Sequence, residues 1–588
     1  MQLVEVNDLS IGFHDRDKVR PVVDGVSFSI ARGEVMALVG ESGSGKTLTA
    51  RAIPRLLPDG AVVTGGSTQF AGEDLGAVSE TRLRGLRGAK IGMIFQEPMV
   101  SLNPALTIGR QLCEALLLHK PQPREAVRRQ ALEMLARVGV SEPERRLAQY
   151  PHEFSGGMRQ RIMIASVMLP RPDILIADEP TTALDAIIQR DVMDLMLDMT
   201  REIGAAVLLI THDLGVVADY ADALAVMRDG RVVESGPASE TLAYPKHDYT
   251  KQLLKSLPGK PEGTHVDSTK KPPLVSFDGV GIDFARKKPW PWSPRRYFHA
   301  VRGVDLDIGA GETVAIVGES GSGKTTLGRS VLGLIKPASG RVIFDGTEIG
   351  ARSKRPFNHF HDRIQLIFQD PYSSLDPRMR VGAIVAEALR LSGMSKVEKL
   401  RRASSALEEA GLPHNFAGRF PHQLSGGQRQ RVCIARALAC NPDLVVADEP
   451  VSALDLTVQA QIIALLKELK ERRGFTLIFI SHDLAVVQEI ADRVAVMRQG
   501  RILEVGPAER LFDAAAHPYT QALLSAAPFL SIAEDSGAYQ LRHRAPRPVA
   551  PPAGHGYFDP DTAGDGDRPL MYDLGAGHRV AVTDASSH

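Results

Sequence analysis

The sequence predicts an α/β protein of two tandem domains, each with a helical subdomain, followed by an irregular C-terminal tail. Three observations carry this reading. At 588 residues the chain is too long for one hydrophobic core. It is written twice: Gly40-Glu41-Ser42-Gly43-Ser44-Gly45-Lys46-Thr47 returns as Gly318-Glu319-Ser320-Gly321-Ser322-Gly323-Lys324-Thr325. Each copy alternates short apolar runs, read as buried strands, with helical segments.

The copies are colinear. Ile94-Phe95-Gln96 returns as Ile367-Phe368-Gln369, Ser155-Gly156-Gly157 as Ser425-Gly426-Gly427, Asp178-Glu179-Pro180 as Asp448-Glu449-Pro450, and His212-Asp213 as His482-Asp483. Lys324 follows Lys46 by 278 positions and Gln369 follows Gln96 by 273, whereas the later pairs all stand 270 apart. Length changes are therefore confined to the first parts of the halves, and five ordered pairs exclude chance. The domains are read as 1–257 and 274–528. The Pro/Gly-rich, charged stretch 258–273 reads as a linker, and 529–588, rich in Pro, Gly and Asp, as the irregular tail.

Lys+Arg and Asp+Glu both number 70, which argues against bulk nucleic-acid binding. Cys113, Cys433 and Cys440 are too few and too widely spaced for a disulfide framework or a zinc site, and are expected to be buried free thiols. The acidic N-terminus does not read as a signal peptide, and no apolar run approaches the roughly 18–20 residues that span a bilayer. The expectation is a cytoplasmic chain.

Val35–Val39 and Val314–Val317 are apolar runs that feed directly into the glycine loops, the strand–loop–helix order of a P-loop NTPase. A triphosphate needs many donors at close range. Gly40, Gly43 and Gly45 let the backbone wrap it, and the helix that follows offers free N–H groups. Lys46 is expected at the β- and γ-phosphates and Thr47 at Mg²⁺, with Lys324 and Thr325 repeating the scheme. Asp178 and Asp448 end apolar strands, placed to support Mg²⁺. Glu179 and Glu449, next along, are placed to polarise the attacking water as general bases.

Ser-Gly-Gly with Arg-Gln, some twenty residues before Asp-Glu-Pro, resembles the signature of ABC ATPases. The second half has the full form, Leu424-Ser425-Gly426-Gly427-Gln428; the first departs at both ends, with Phe154 and Met158. The likeness covers about residues 1–530. It implies that the halves pair head to tail within the chain, Lys46 sharing an ATP with Ser425, Gly426, Gly427 and Gln428, and Lys324 with Ser155, Gly156 and Gly157. It implies Gln96 and Gln369 as Q-loop residues touching Mg²⁺, His212 and His482 as histidines at the γ-phosphate, and Asp185 and Asp455 as links between sites. Phe13 and Phe284 are candidates for stacking on adenine, with a core strand role as the alternative. Both halves keep Lys, Gln, Asp, Glu and His, so two hydrolytic sites are expected.

The stretches Glu97-Pro98-Met99-Val100-Ser101-Leu102-Asn103-Pro104 and Asp370-Pro371-Tyr372-Ser373-Ser374-Leu375-Asp376-Pro377 resemble the oligopeptide/dipeptide importer branch, as do His247-Asp248-Tyr249-Thr250 and His517-Pro518-Tyr519-Thr520. That branch implies two transmembrane permease subunits, an extracytoplasmic solute-binding protein, no nucleic acid, and peripheral placement on the cytoplasmic face of the inner membrane. The cofactors implied are ATP and Mg²⁺. Because the tail holds no cysteine, no iron–sulfur cluster is expected. The alternatives are a soluble tandem ATPase resembling the ABC-F translation factors, opposed by the short linker, or an importer of a non-peptide solute such as nickel.

Three further signals read as structural. The basic loop 286–296 with Trp290 and Trp292 is expected to be a solvated insertion, with a membrane contact as the alternative. The Asp559–Asp567 run lacks the glutamate of a calcium loop, because Leu570 stands there, and is expected to be a disordered acidic tail. Met193, Met196 and Met199 repeat at helical spacing and are expected to face a core.

Overall fold

The computed structural model describes residues 2–15, 18–96, 101–119, 122–181, 185–255, 257, 272–285, 292, 295–350, 360–452, 454–533, 535–544, 549–564 and 566–584. Two compact units emerge, Met1–Leu257 with Leu530–Arg542, and Pro258–Phe529 with His543–His588. The linker 258–271, residues 97–100 and most of the basic loop lie outside the described residues; Trp292 itself is exposed.

In the first unit the strands are β1 (Gln2–Asp15), β2 (Lys18–Ala31), β3 (Val35–Val39), β4 (Ala61–Phe70), β5 (Glu73–Asp74), β6 (Ile91–Ile94), β7 (Ile174–Asp178), β8 (Ala206–Thr211), β9 (Ala223–Arg228) and β10 (Arg231–Pro237). They form an antiparallel sheet, β2-β1-β4-β5, and a larger sheet, β10-β9-β3-β8-β7-β6. The larger sheet is parallel from β6 to β9, with β10 an antiparallel edge. Strands β3, β7 and β8 are buried from end to end, as uninterrupted apolar runs covered on both faces must be. Strand periodicity splits β3 between cores: Met36 and Leu38 pack with Val4, Leu9 and Ile11 of β1, while Ala37 and Val39 face Leu214 and Tyr249.

A helical subdomain sits beside this sheet. Helices Ile108–His119, Arg124–Arg137 and Gly156–Met168 bury Leu112, Leu116, Val127, Leu135 and Ile162 in one cluster. Met193, Met196 and Met199 of helix Ala186–Ile203 join it, so the methionine stripe does face the core.

The second unit repeats the plan with β11 (Val275–Ala285), β12 (Tyr297–Ile308), β13 (Thr313–Val317), β14 (Ser339–Phe344), β15 (Thr347–Glu348), β16 (Ile364–Ile367), β17 (Leu444–Asp448), β18 (Thr476–Ser481), β19 (Arg493–Arg498) and β20 (Arg501–Pro507). The sheets run β12-β11-β14-β15 and β16-β17-β18-β13-β19-β20. Its helical subdomain is Val381–Glu387, Lys396–Glu409 and Gly426–Leu438. Cys433 is buried, but Cys113 and Cys440 are only half-buried; all three are free thiols.

The tail corrects the sequence reading. It is not irregular: β21 (Phe529–Ile532) pairs with β22 (Tyr539–Arg542), and β23 (His555–Tyr557), β24 (Leu570–Asp573) and β25 (Arg579–Asp584) extend the second unit's large sheet. Strand β25 lies antiparallel to β20, Glu504 opposite Val580, and covers what would be an open sheet edge. Val580, Ala581, Val582 and Phe558 are buried there. The acidic run does not hang free either: Asp561 pairs with Arg498 at 2.8 Å, and Gly564 and Asp567 give carbonyls to buried Arg501. Asp565 lies outside the described residues. Leu530, Tyr539 and Leu541 of the β21–β22 ribbon pack with Ala238, Leu242 and Leu253 in the first unit.

Candidate nucleotide sites

Each phosphate loop leaves the C-terminal end of a buried central strand. A Cβ at Gly40, where φ is 153°, would lie 2.2 Å from the Met227 carbonyl oxygen; at Gly318, φ 144°, it would lie 2.0 Å from that of Met497. Only glycine passes so close to β9 and β19. Gly43, Gly45, Gly321 and Gly323 also adopt positive φ. Lys46 Nζ donates to the Gly40 and Glu41 carbonyls at 2.6 and 2.7 Å, and Lys324 Nζ to those of Gly318 and Glu319 at 2.7 and 2.8 Å. Both ammonium groups are thereby held inside their loops. Ser44 and Ser322 are buried in the same turns, while Glu41, Ser42, Glu319 and Ser320 form the more open rim.

The loop hydroxyl meets the strand-end aspartate in both halves. Thr47 Oγ1 donates to Asp178 Oδ1 at 2.9 Å, and Thr325 Oγ1 to Asp448 Oδ1 at 2.7 Å. Burial pushes the Asp178 carboxyl above its ordinary range, against the Thr47 hydrogen bond and the Arg51 charge, which lower it. Asp178 Oδ2 is buried without a hydrogen-bond partner, with the Arg51 guanidinium 3.9 Å away. A hydroxyl beside a buried, under-satisfied carboxylate suits a hard divalent cation, so these residues fit Mg²⁺. At Asp448 the corresponding arginine, Arg329, comes closer and donates to the second oxygen at 3.3 Å.

Glu179 and Glu449 turn out of their strands at φ 47° and 46°, each with its N–H on the neighbouring strand's carbonyl, Ile210 or Ile480. The turn aims each carboxylate at two partners. Gln96 Nε2 donates to Glu179 Oε2 and Gln369 Nε2 to Glu449 Oε2, both at 2.8 Å. His212 Nδ1 lies 3.3 Å from Glu179 Oε1, and His482 Nδ1 3.3 Å from Glu449 Oε1. Burial disfavours charge on both imidazoles, but hydrogen bonding and charge from the glutamate outweigh it, so both histidine pKa values are raised. Burial alone would raise the Glu449 pKa; His482, Lys324 and the Gln369 hydrogen bond together outweigh it and hold this carboxyl below its ordinary value. Asp213 and Asp483 cap the helices that follow, each accepting two backbone N–H groups, and so fix the histidine turns.

Both signatures start helices. Ser155 and Ser425 are N-caps, accepting from the N–H of Met158 and Gln428. Only the second closes a capping box, Gln428 Oε1 returning to the Ser425 N–H at 3.1 Å, so the Met158 departure removes one hydrogen bond. Phe154 and Leu424 are equally buried, so that departure is a packing change. Gly157 and Gly427 permit close helix packing: a Cβ would lie 3.1 Å from Ile188 Cγ2 and 2.5 Å from Val458 Cγ1. Gly156 and Gly426 are looser. Asp185 and Asp455 occupy the N-cap positions of helices Ala186–Ile203 and Leu456–Arg473; Ala183, Leu184 and Ala453 lie outside the described residues.

Phe13 is half-buried and Phe284 exposed, so neither is a fully buried core residue. Phe13 pairs with Arg20 two positions beyond the Ile11–Val23 pair, and Val23 is the side chain nearest to a Cβ at Gly45. Phe284 pairs with Phe298, two beyond Ile282–Val301, and the Ala300 carbonyl borders Gly323. Both phenylalanines thus stand a short step along the strand from the phosphate loop.

Sequence reasoning missed one contact. The Tyr249 and Tyr519 hydroxyls accept the N–H of Glu41 and Glu319, each at 3.2 Å. Their common 270-residue spacing was the available signal.

Strand, glycine loop, helix, buried aspartate, and a glutamate held between glutamine and histidine, all built twice, define a tandem nucleoside-triphosphatase of the P-loop class. The ABC transporter family matches residues 23–182 and 301–452, and the oligopeptide/dipeptide transporter C-terminal region matches 233–279 and 503–559. The chain belongs to the ABC transporter family, and it is an ABC ATPase. It is 46% identical to a peptidoglycan transport ATP-binding protein of Agrobacterium fabrum, across 89% of this chain and 96% of that one. It is 43% identical to a glutathione import ATP-binding protein of Pectobacterium atrosepticum, across 90% of each. An archaeal ribosome recycling factor solved with a ribosomal stalk protein is 20% identical, with a TM-score of 0.60 over 91% of this chain and 96% of that one, a likeness of fold alone.

Proposed function

We propose that this chain is the ATP-hydrolysing subunit of an importer for peptides or peptide-like solutes. It works at the cytoplasmic face of the inner membrane, on two transmembrane permease subunits fed by an extracytoplasmic solute-binding protein. The observation that carries the reading is the pairing of two complete sets of ATPase residues with the oligopeptide/dipeptide region in both halves. No helix among the described residues is long and apolar enough to cross a membrane.

Lys46 and Lys324 exchange loop carbonyls for the β- and γ-phosphates of ATP. Thr47 with Asp178 and Gln96, and Thr325 with Asp448 and Gln369, hold Mg²⁺, which neutralises charge on the phosphate oxygens. Glu179 and Glu449 take the proton of the attacking water on a carboxylate oxygen, oriented by the glutamine amide on Oε2 and the histidine on Oε1. Ser155, Gly156 and Gly157 complete the Lys324 site and Ser425, Gly426, Gly427 and Gln428 the Lys46 site, so hydrolysis releases one half from the other. Phe13 and Phe284 stack on adenine.

Uptake of labelled dipeptides, glutathione and nickel into cells carrying the Lys46→Ala/Lys324→Ala chain tests the proposal. Loss of peptide or glutathione uptake with nickel uptake intact is expected. Loss confined to nickel would replace the solute class, and intact uptake of all three would end the importer reading.

A further inference from the structure

One peptide unit in each phosphate loop is gripped at both ends. The carbonyl of Gly318 accepts from Lys324 Nζ at 2.7 Å, and the N–H of the same peptide, on Glu319, donates to Tyr519 Oη at 3.2 Å. In the first half Gly40 accepts from Lys46 Nζ at 2.6 Å and Glu41 donates to Tyr249 Oη at 3.2 Å. Both tyrosines are buried, and an arginine stacks on each ring, Arg228 at 4.9 Å and Arg498 at 4.8 Å. His247 and His517 accept the tyrosine N–H on Nδ1, each at 3.1 Å, and Glu234 and Glu504 take the two N–H groups just before. Reaching a phosphate requires each lysine to release its carbonyl. The tyrosine keeps hold of the other end.

In the second unit the C-terminal segment adds a layer to this support. His578 Nε2 lies 2.7 Å from Glu504 Oε1, both side chains buried. His517 Nδ1 is an acceptor, so its proton sits on Nε2, which donates to the Phe558 carbonyl at 3.0 Å. Burial pushes the His517 pKa down, consistent with that neutral tautomer. Arg498, stacked on Tyr519, is anchored by Asp561 at 2.8 Å, whereas Arg228 pairs with its exposed neighbour Asp229 at 3.4 Å.

We propose that Tyr249 and Tyr519 are positioning residues that hold the phosphate loops ready for ATP, and that the segment from Phe558 to His578 tightens this hold in the second half alone. The proposal rests on Lys46 and Lys324 as the phosphate-binding lysines. It concerns binding, because the tyrosines touch the loop and not the glutamates that activate water.

The test is the ATPase rate of the full chain against ATP concentration. Tyr249→Phe/Tyr519→Phe keeps both rings and removes the hydroxyls. Losing one hydrogen bond per loop is expected to raise KM for ATP about threefold to tenfold, with kcat within twofold and melting temperature unchanged. Tyr519→Phe alone is expected to give a two-component ATP dependence, with only one component weakened. Asp561→Asn, at the surface, is expected to weaken the same component and to add nothing in the Tyr519→Phe background. An unchanged KM in the double tyrosine variant, or a fall in kcat at constant KM, overturns the positioning role. Full additivity of Asp561→Asn with Tyr519→Phe overturns the tail's part. Lys324→Ala, made in parallel, reports on the site assignment itself: wild-type kinetics there would withdraw the site rather than the tyrosine.

Discussion

Glu449→Gln removes one of the two proposed general bases and leaves its surroundings in place. The two carboxylates have the same neighbours at the same distances, glutamine amide to Oε2 at 2.8 Å and histidine Nδ1 to Oε1 at 3.3 Å in each half, although only the His212 approach has hydrogen-bond geometry. Equal neighbours and distances predict equal rates, so each site carries about half of kcat. A lost general base costs ~10²–10⁴ in rate, about 3–5 kcal/mol, which silences the altered site. The single variant is therefore expected to keep about half the wild-type rate, Glu179→Gln the same, and the double variant ~1% or less. A coupled-enzyme ATPase assay at saturating ATP and Mg²⁺ reads this directly, with nucleotide binding checked separately because the amide leaves the phosphate loop intact. A rate below a few per cent of wild type in either single variant would refute independent sites. Full activity in the double variant would refute the glutamates as bases.

Other outcomes follow from particular contacts. Gly427→Ala puts a Cβ 2.5 Å from Val458 Cγ1 and is expected to cost about 1–3 kcal/mol in urea unfolding, with Gly427→Ala/Val458→Ala recovering most of it and Gly157→Ala milder. The raised His482 pKa stabilises fully below the ordinary 6.5 and fades as pH rises through the folded value, while the lowered Glu449 pKa stabilises above 4.5 and fades as pH falls through its folded value. The stability lost in His482→Gln is thus expected to be largest between pH 4.5 and 6.5 and smaller at pH 8.5, by thermal melts. Chelation by EDTA is expected to abolish hydrolysis, and Asp178→Asn to raise the Mg²⁺ concentration needed for half-maximal rate in the Glu449→Gln background.

The residues proposed to bind phosphate and to activate water were brought together as the sequence suggested, because the chemistry of such a site fixes residue type and short-range spacing. Gly40 admits no side chain, Lys46 sits one turn from the carbonyls it holds, and Glu179 follows its strand directly. The duplication turned each weak signal into a paired one. The tyrosine contact was not legible: Tyr249 reaches a backbone N–H 208 residues earlier and Tyr519 one 200 residues earlier, and no local pattern marks an acceptor for a main-chain donor. The tail misled by composition. Its Pro, Gly and Asp content hid the short apolar run Val580-Ala581-Val582, whose order comes from the edge of β20 and the buried Glu504.

Whether this ATPase drives a peptide-class importer is decided by what the chain binds. The tagged chain, expressed at native level in its own cells and extracted from membranes in mild detergent, is expected to bring down two polytopic permease chains, identified by mass spectrometry. Ribosomal proteins in the soluble fraction, with no permease in the membrane extract, would contradict the importer reading and place the chain with the soluble tandem ATPases.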